Sequence, residues 1–304
     1  MKRKIIEHGT SNALILPRKW FDKYGLKRGE ELDIEESGPK LIVSAEKIKA
    51  IKDIIKIQQE PFIPYTHNII GKIFYAGYDH IEVVVCDKTD MDVSVAKALQ
   101  NIMGLELVEK GDNKIAFDVI IQESQDLFEK YEHKTFQTAI EYAKWILSCL
   151  ETKNQNGLDD MTLEILNNKF SLFCERYLNK VLPKDCSFHY TILLNLEQIA
   201  DEFKHIAHQI KEKKIKVSKE SIVYFKKAII YLEDLYQLFC NFDTSIHSSM
   251  YRNKIKLINY GYELCLIKPG SEAIVIGHLN DVIRHAFNCM GPIFALNLSK
   301  FKLE

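Results

Sequence analysis

Glu197, Asp201 and His205 recur at i, i+4 and i+8 in the segment LEQIADEFKHIA that begins at Leu196. On a helix that spacing gives one slowly rotating stripe. Two carboxylates and an imidazole facing a bundle interior suit iron, manganese or zinc, and the oxygen donors favour the harder ions. A divalent or ferric metal ion is therefore the candidate cofactor, with further ligands required from a second helix. The competing reading is a stripe of exposed or paired polar groups, because unpartnered carboxylates rarely face a core.

A second group with chemical potential is basic. Lys2, Arg3, Lys4, Arg18 and Lys19 flank the first apolar strand pattern and could contact nucleic-acid phosphates. The acids Glu30, Glu31, Asp33, Glu35 and Glu36 follow closely, and the whole chain carries a formal net charge of -1. That charge excludes a strongly basic nucleic-acid protein and confines any such binding to a local patch. Trp20 and Phe21 have the character of packing residues, and Asp22 would repel phosphate. The run KEKKIKVSKES, residues 211 to 221, reads as a solvated connection between helices. No Gly-rich phosphate loop sits at a strand-to-helix turn. No nucleophile is accompanied by a base and an orienting group, so the pattern points away from an enzyme. The seven cysteines are scattered without a CxxC pair, as expected of reduced thiols in a cytosolic chain.

These residues need elements to position them, and the chain of 304 residues changes character twice. Residues 1–46 alternate at Leu14/Leu16, Leu32/Ile34 and Leu41/Val43, the period of half-buried strands. Pro17 is placed to open a short helix, Gly25 to end it, and SGPK to turn a hairpin. So short a module buries little surface alone and needs a second copy or a neighbour. Residues 47–124 read as a small α/β unit: helix YTHNIIGKIFYAG, strand HIEVVVC, helix DVSVAKALQNIMG, then LELVEKG and NKIAFDVII paired through GDN. Residues 125–304 carry helical periodicity, with six helices predicted over 125–154, 158–182, 186–215, 218–243, 245–267 and 271–299. The windows from Leu196 and Leu279 share apolar positions and suggest two three-helix repeats. No apolar run approaches the roughly 18 residues of a membrane span, and MKRKIIEHGT lacks a signal-peptide core. The expectation is a cytoplasmic protein with no membrane insertion.

The stretch GTSNALILPRKWFDKYGLKRGEELDI, with Leu16-Pro17, the Gly25-Leu26 turn and Gly29, resembles the AbrB/SpoVT swapped-hairpin family over about the first 45 residues. In that family two chains interleave their hairpins into one dimeric barrel that commonly binds DNA. The resemblance implies homodimerisation through residues 1–46 and duplex DNA as a partner. The remainder is similar to archaeal proteins that join this module to a PhoU-like helical domain, through AGYDHIEV, IMGLELVE and LEQIADEFKHIA. That implies a three-part, multi-domain chain: a β swapped-hairpin dimerisation domain, a small α/β middle domain and an all-α PhoU-like bundle. The implied role is regulation of phosphate uptake or phosphate-responsive transcription. One alternative is an adaptor that only dimerises through its first module and contacts a phosphate transporter or signalling protein; another is a metal-dependent enzyme. The sequence departs from the PhoU pattern in the last helix, where Asn280 and Arg284 replace the acids and Asn288 remains an oxygen donor. In the second helix Asn167 and Ser171 stand at the acidic positions. A register through Asp281 and His285 would restore ligands but spoils the apolar spacing, whereas Arg284 could pair with Glu197 or Asp201.

Overall fold

The computed structural model describes residues 3–9, 11–23, 25–37, 40–44, 53–183, 185–268 and 270–301. The chain forms two compact units, Met1–Asp53 and Ile54–Glu304. In the first, β1 (Ile5–His8) and β2 (Ser11–Leu14) make an antiparallel hairpin that sets Ile5 opposite Leu14. Gly9 turns it at φ 61°, a left-handed conformation open to glycine without steric penalty. The sequence pattern starts the strands at Leu14, so β1 is an addition; its signal was Ile5-Ile6 ahead of a glycine turn. The Pro17 carbonyl accepts from the amides of Trp20 and Phe21 at 2.9 and 3.2 Å as α1 (Arg18–Lys23) begins. Gly25, at φ 62°, ends that helix as expected, and the Leu26 amide returns to the Phe21 carbonyl at 3.0 Å. β3 (Asp33–Ser37) then pairs antiparallel with β4 (Lys40–Ser44). The expected turn residues Gly38 and Pro39 lie outside the described residues.

No described side chain of this unit is buried. Ile5, Leu14, Ile34 and Leu41 are 73, 53, 64 and 62% exposed. Strands with this much bare aliphatic surface do not make a core of their own.

The second unit opens with a four-stranded sheet of order β5-β6-β8-β7, formed by β5 (Ile54–Gln58), β6 (His80–Val84), β7 (Leu105–Lys110) and β8 (Lys114–Val119). β5 and β6 run parallel and the other pairings are antiparallel. A parallel pair needs a crossover, which α2 (Thr66–Tyr75) supplies. α3 (Lys88–Asn101) follows β6 and begins ahead of the apolar DVSVAK pattern because Asp87 caps it, its carboxylate accepting from the Asp90 amide at 3.0 Å. β5 was not read from the sequence, although IIKIQ alternates. Ile70 and Phe74 of α2, Met91 and Val95 of α3, and Ile81, Val83 and Phe117 of the sheet form the core of this layer.

The helices from Gln125 onward follow the predicted spans closely: α4 (Gln125–Thr152), α5 (Thr162–Val181), α6 (Cys186–Glu212), α7 (Lys219–Cys240), α8 (Thr244–Ile267) and α9 (Gly270–Leu296). Ser124, Ser218 and Asp243 cap α4, α7 and α8 through side-chain oxygens. α6 and α9 pack antiparallel: Glu202 meets His278, while Asn195 meets His285 and Asn288. Their apolar faces contribute Leu196, Ile199, Phe203, Leu279, Ile283 and Ala286 to the main core. Strands at the front and helices behind are the expected coarse arrangement. Among the described residues no helix is long and apolar enough to cross a membrane.

Arg176, fully buried on α5, fastens the bundle to the sheet layer. Its guanidinium donates to the carbonyls of Phe74 and Tyr78 at 2.8 and 2.6 Å and forms ion pairs with Asp79 and Glu123. It also lies 4.8 Å from the Phe74 ring centroid. The positive group thus caps the C-terminal end of α2, where the helix dipole favours a cation.

Candidate functional site

α6 presents Glu197, Asp201 and His205 as a stripe, but the packing of neighbouring elements gives each a different partner. Asp201 forms an ion pair with Lys204, which also donates to Glu164 at 2.8 Å. Glu197 lines a cleft facing α2 and α3 together with Lys72. Burial pushes the Glu197 carboxyl above its ordinary range; Lys72 and Lys204 oppose the shift, and Asp201 and Glu164 add to it. A lysine beside each carboxylate makes these two acids a poor cation site.

His205 belongs instead to a cluster with Glu202, one turn earlier on its own helix, and His278 of α9. One ligand atom from each of the three lies within 4.8 Å of the others. His278 Nδ1 is 2.5 Å from Glu202 Oε2, and the rings of His205 and His278 have centroids 5.6 Å apart. Burial disfavours the Glu202 carboxylate, yet the His278 hydrogen bond and the fields of His278, His205 and His285 hold its pKa below the usual value. The donor set is two imidazoles and one carboxylate, which fits a tetrahedral zinc or an iron(II) ion with an open position. The sequence contained a pointer in the Glu202-x-x-His205 spacing; His278 comes from a helix more than seventy residues away and only packing brings it in.

The positions compared with Glu197 and Asp201 are otherwise engaged. Asn280 is buried and accepts from Tyr224 Oη at 2.5 Å. Arg284 pairs with Asp281 and donates to Tyr262 Oη at 2.6 Å, so it reaches neither Glu197 nor Asp201 by an ion pair. That contact also removes the Asp281–His285 register as a ligand pair, since His285 faces Asn195 at 3.2 Å. Asn167 is buried and donates to the Thr135 carbonyl at 2.8 Å. Ser171 of α5 is buried, and its Oγ has no hydrogen-bond partner among the described residues.

On the first unit, Arg3, Lys4, Arg18 and Lys19 are exposed, and Lys2 lies outside the described residues. Trp20 and Phe21 are half-buried and meet edge to face with centroids 5.8 Å apart, as packing residues do, while Asp22 is exposed.

No family model matches the chain, and no curated protein or solved structure matches it.

Proposed function

We propose that the protein is a dimeric regulator of phosphate uptake or phosphate-responsive transcription, in which an AbrB-like N-terminal module dimerises and grips duplex DNA and a PhoU-like bundle senses. The observation that carries the reading is the first unit's exposed apolar strands. Ile5, Leu14, Ile34 and Leu41 lack a core to enter within one chain. Burying four such side chains against the same four of a second copy would contribute on the order of 10 kcal/mol or more. Interleaving also doubles the basic residues Lys2, Arg3, Lys4, Arg18 and Lys19 available to phosphates. In the bundle, Glu202, His205 and His278 are the residues that would hold a metal ion, whose charge would neutralise Glu202 and tie α6 to α9.

Light scattering on the full chain together with salt-dependent retention on duplex DNA tests the reading. A dimer whose DNA affinity falls steeply with salt supports it, and the Arg18→Ala/Lys19→Ala variant should flatten that slope. A monomer, or a dimer that gives no shift at low salt, refutes the DNA-binding form. A second reading, the adaptor, is favoured by a stripe on α8: Tyr251, Ile255, Tyr262 and Leu266 are all exposed at spacings of four, seven and four. Such a face fits a protein partner, a phosphate transporter or signalling protein, better than solvent. A dimer that ignores DNA leaves this reading in possession.

A further inference from the structure

Between the sheet layer and the bundle, α2 and α3 face α5 and α6 across a cleft of about 320 Å³. Its walls carry His67 and Lys72 from α2, Lys97 and Asn101 from α3, Asn168 from α5 and Glu197 from α6. Polar atoms concentrate there without partners. Seven buried side-chain nitrogen or oxygen atoms among the described residues lack a hydrogen bond, and three of them, His67 Nδ1, Asn101 Oδ1 and Asn168 Oδ1, belong to cleft residues. Each such group left unsatisfied is unfavourable, so their gathering in one cavity marks a place where donors arrive from outside the chain. The Asn168 orientation is fixed independently, because its Nδ2 donates to Glu164 Oε1 at 3.0 Å and leaves Oδ1 as the free acceptor. Burial first, and then the Lys97 charge, lower the His67 pKa and so disfavour the charged imidazolium.

The charge is equally distinctive. Lys88 and Lys110, further along the same layer, are tied to Asp112 and Asp92 at 2.8 Å. Lys72 and Lys97 have no ion-pair partner among the described residues. Glu197 is the one acid in the lining and carries at most a single negative charge against Lys72 and Lys97, so the two lysines set the sign of the cavity. Gly71 completes the description. It is buried, yet a Cβ there would meet nothing nearer than Ile102 Cδ1 at 4.0 Å. Protein packing does not demand a glycine at this point, and its missing side chain leaves space on the cleft side of α2.

We propose that this cleft binds a small, doubly charged anion that also carries hydroxyl groups, with Lys72 and Lys97 taking its charge and Asn101, Asn168 and His67 accepting from its hydroxyls. Sugar phosphates and hydroxy-dicarboxylates share that chemistry, and a cavity of this volume accommodates either. The ligand would bridge the α/β layer and the bundle, so its binding would stiffen the join that Arg176 already makes. The proposal stands apart from the regulator reading, since none of these residues belongs to the N-terminal unit or to the Glu202 cluster.

Isothermal titration calorimetry of the full chain against ribose 5-phosphate, malate, inorganic phosphate and neutral ribose provides the test. Ribose 5-phosphate or malate should bind with a saturable heat, tighter than inorganic phosphate, and ribose should give none. Which of the two binds tighter identifies the anion source. Lys72→Ala and Lys97→Ala should each weaken binding about tenfold or more, as expected for loss of a charged hydrogen bond. Both side chains are exposed, so circular dichroism should show the variants folded. Gly71→Leu should block the cavity, and Lys88→Ala should change nothing. Absence of binding by both organic anions overturns the proposal, as does binding that survives the Lys72→Ala/Lys97→Ala double substitution. Inorganic phosphate binding as tightly as ribose 5-phosphate overturns the role given to the amides.

Discussion

Glu175→Gln is expected to stabilise the protein above pH 7 and to change it little at pH 5. Glu175 lies on α5, 4% exposed, and its pKa is pushed up to about 7 from 4.5, chiefly by burial and secondarily by Glu197, with Lys72 in opposition. A carboxyl whose folded pKa exceeds its unfolded value binds its proton more tightly in the native state. Between those two values stability therefore falls as pH rises, and the full penalty is present once pH passes the folded pKa. The displacement from 4.5 to about 7 corresponds to about 3 kcal/mol at pH 8, and to under about 1 kcal/mol at pH 5. Glutamine preserves the shape and removes the titration, so the variant should gain about that amount at pH 8. Urea unfolding followed by helical circular dichroism at pH 5 and pH 8, in both proteins, reads the difference directly. Groups that titrate alike in both proteins cancel in the comparison. Equal effects at the two pH values, or a variant less stable than the parent at pH 8, would refute the argument that burial holds this carboxyl neutral.

Two further outcomes follow from the geometry. Arg176→Met should destabilise by about 3–5 kcal/mol in chemical denaturation, because it removes the buried guanidinium that Asp79 and Glu123 both pair with. The loss should change little with salt, since the pair is hidden from ions. Zinc at a hundredfold excess over its Kd should stabilise the chain by about 2.7 kcal/mol, and His278→Ala should abolish both the stabilisation and the bound metal measured after dialysis. Metal retained by His278→Ala but lost by Asp201→Ala would place the ion on the original stripe instead.

The six helices of the bundle were legible because their apolar positions repeat every three to four residues and their caps are written locally. Ser218 and Asp243 stand where the sequence breaks, and their side chains close the helix starts. The short helix and its glycine stop in the first unit were legible for the same reason. β5 escaped because five residues carry too little periodic signal, and its parallel pairing with β6 depends on a crossover. β1 escaped similarly.

The chain by itself determined where the bundle helices form, which of their faces are apolar, and that Glu197, Asp201 and His205 share one helix. Only tertiary structure decided what those side chains meet. Lys204 captured Asp201, Lys72 came to lie near Glu197, and α9 brought His278 to Glu202 and His205. The reason is physical. Periodicity is a property of one helix, whereas a metal shell or an anion cleft is a property of several. Which charges converge is set by how those helices pack, and the same packing places Arg176 of α5 against Asp79 and Glu123, 97 and 53 residues distant.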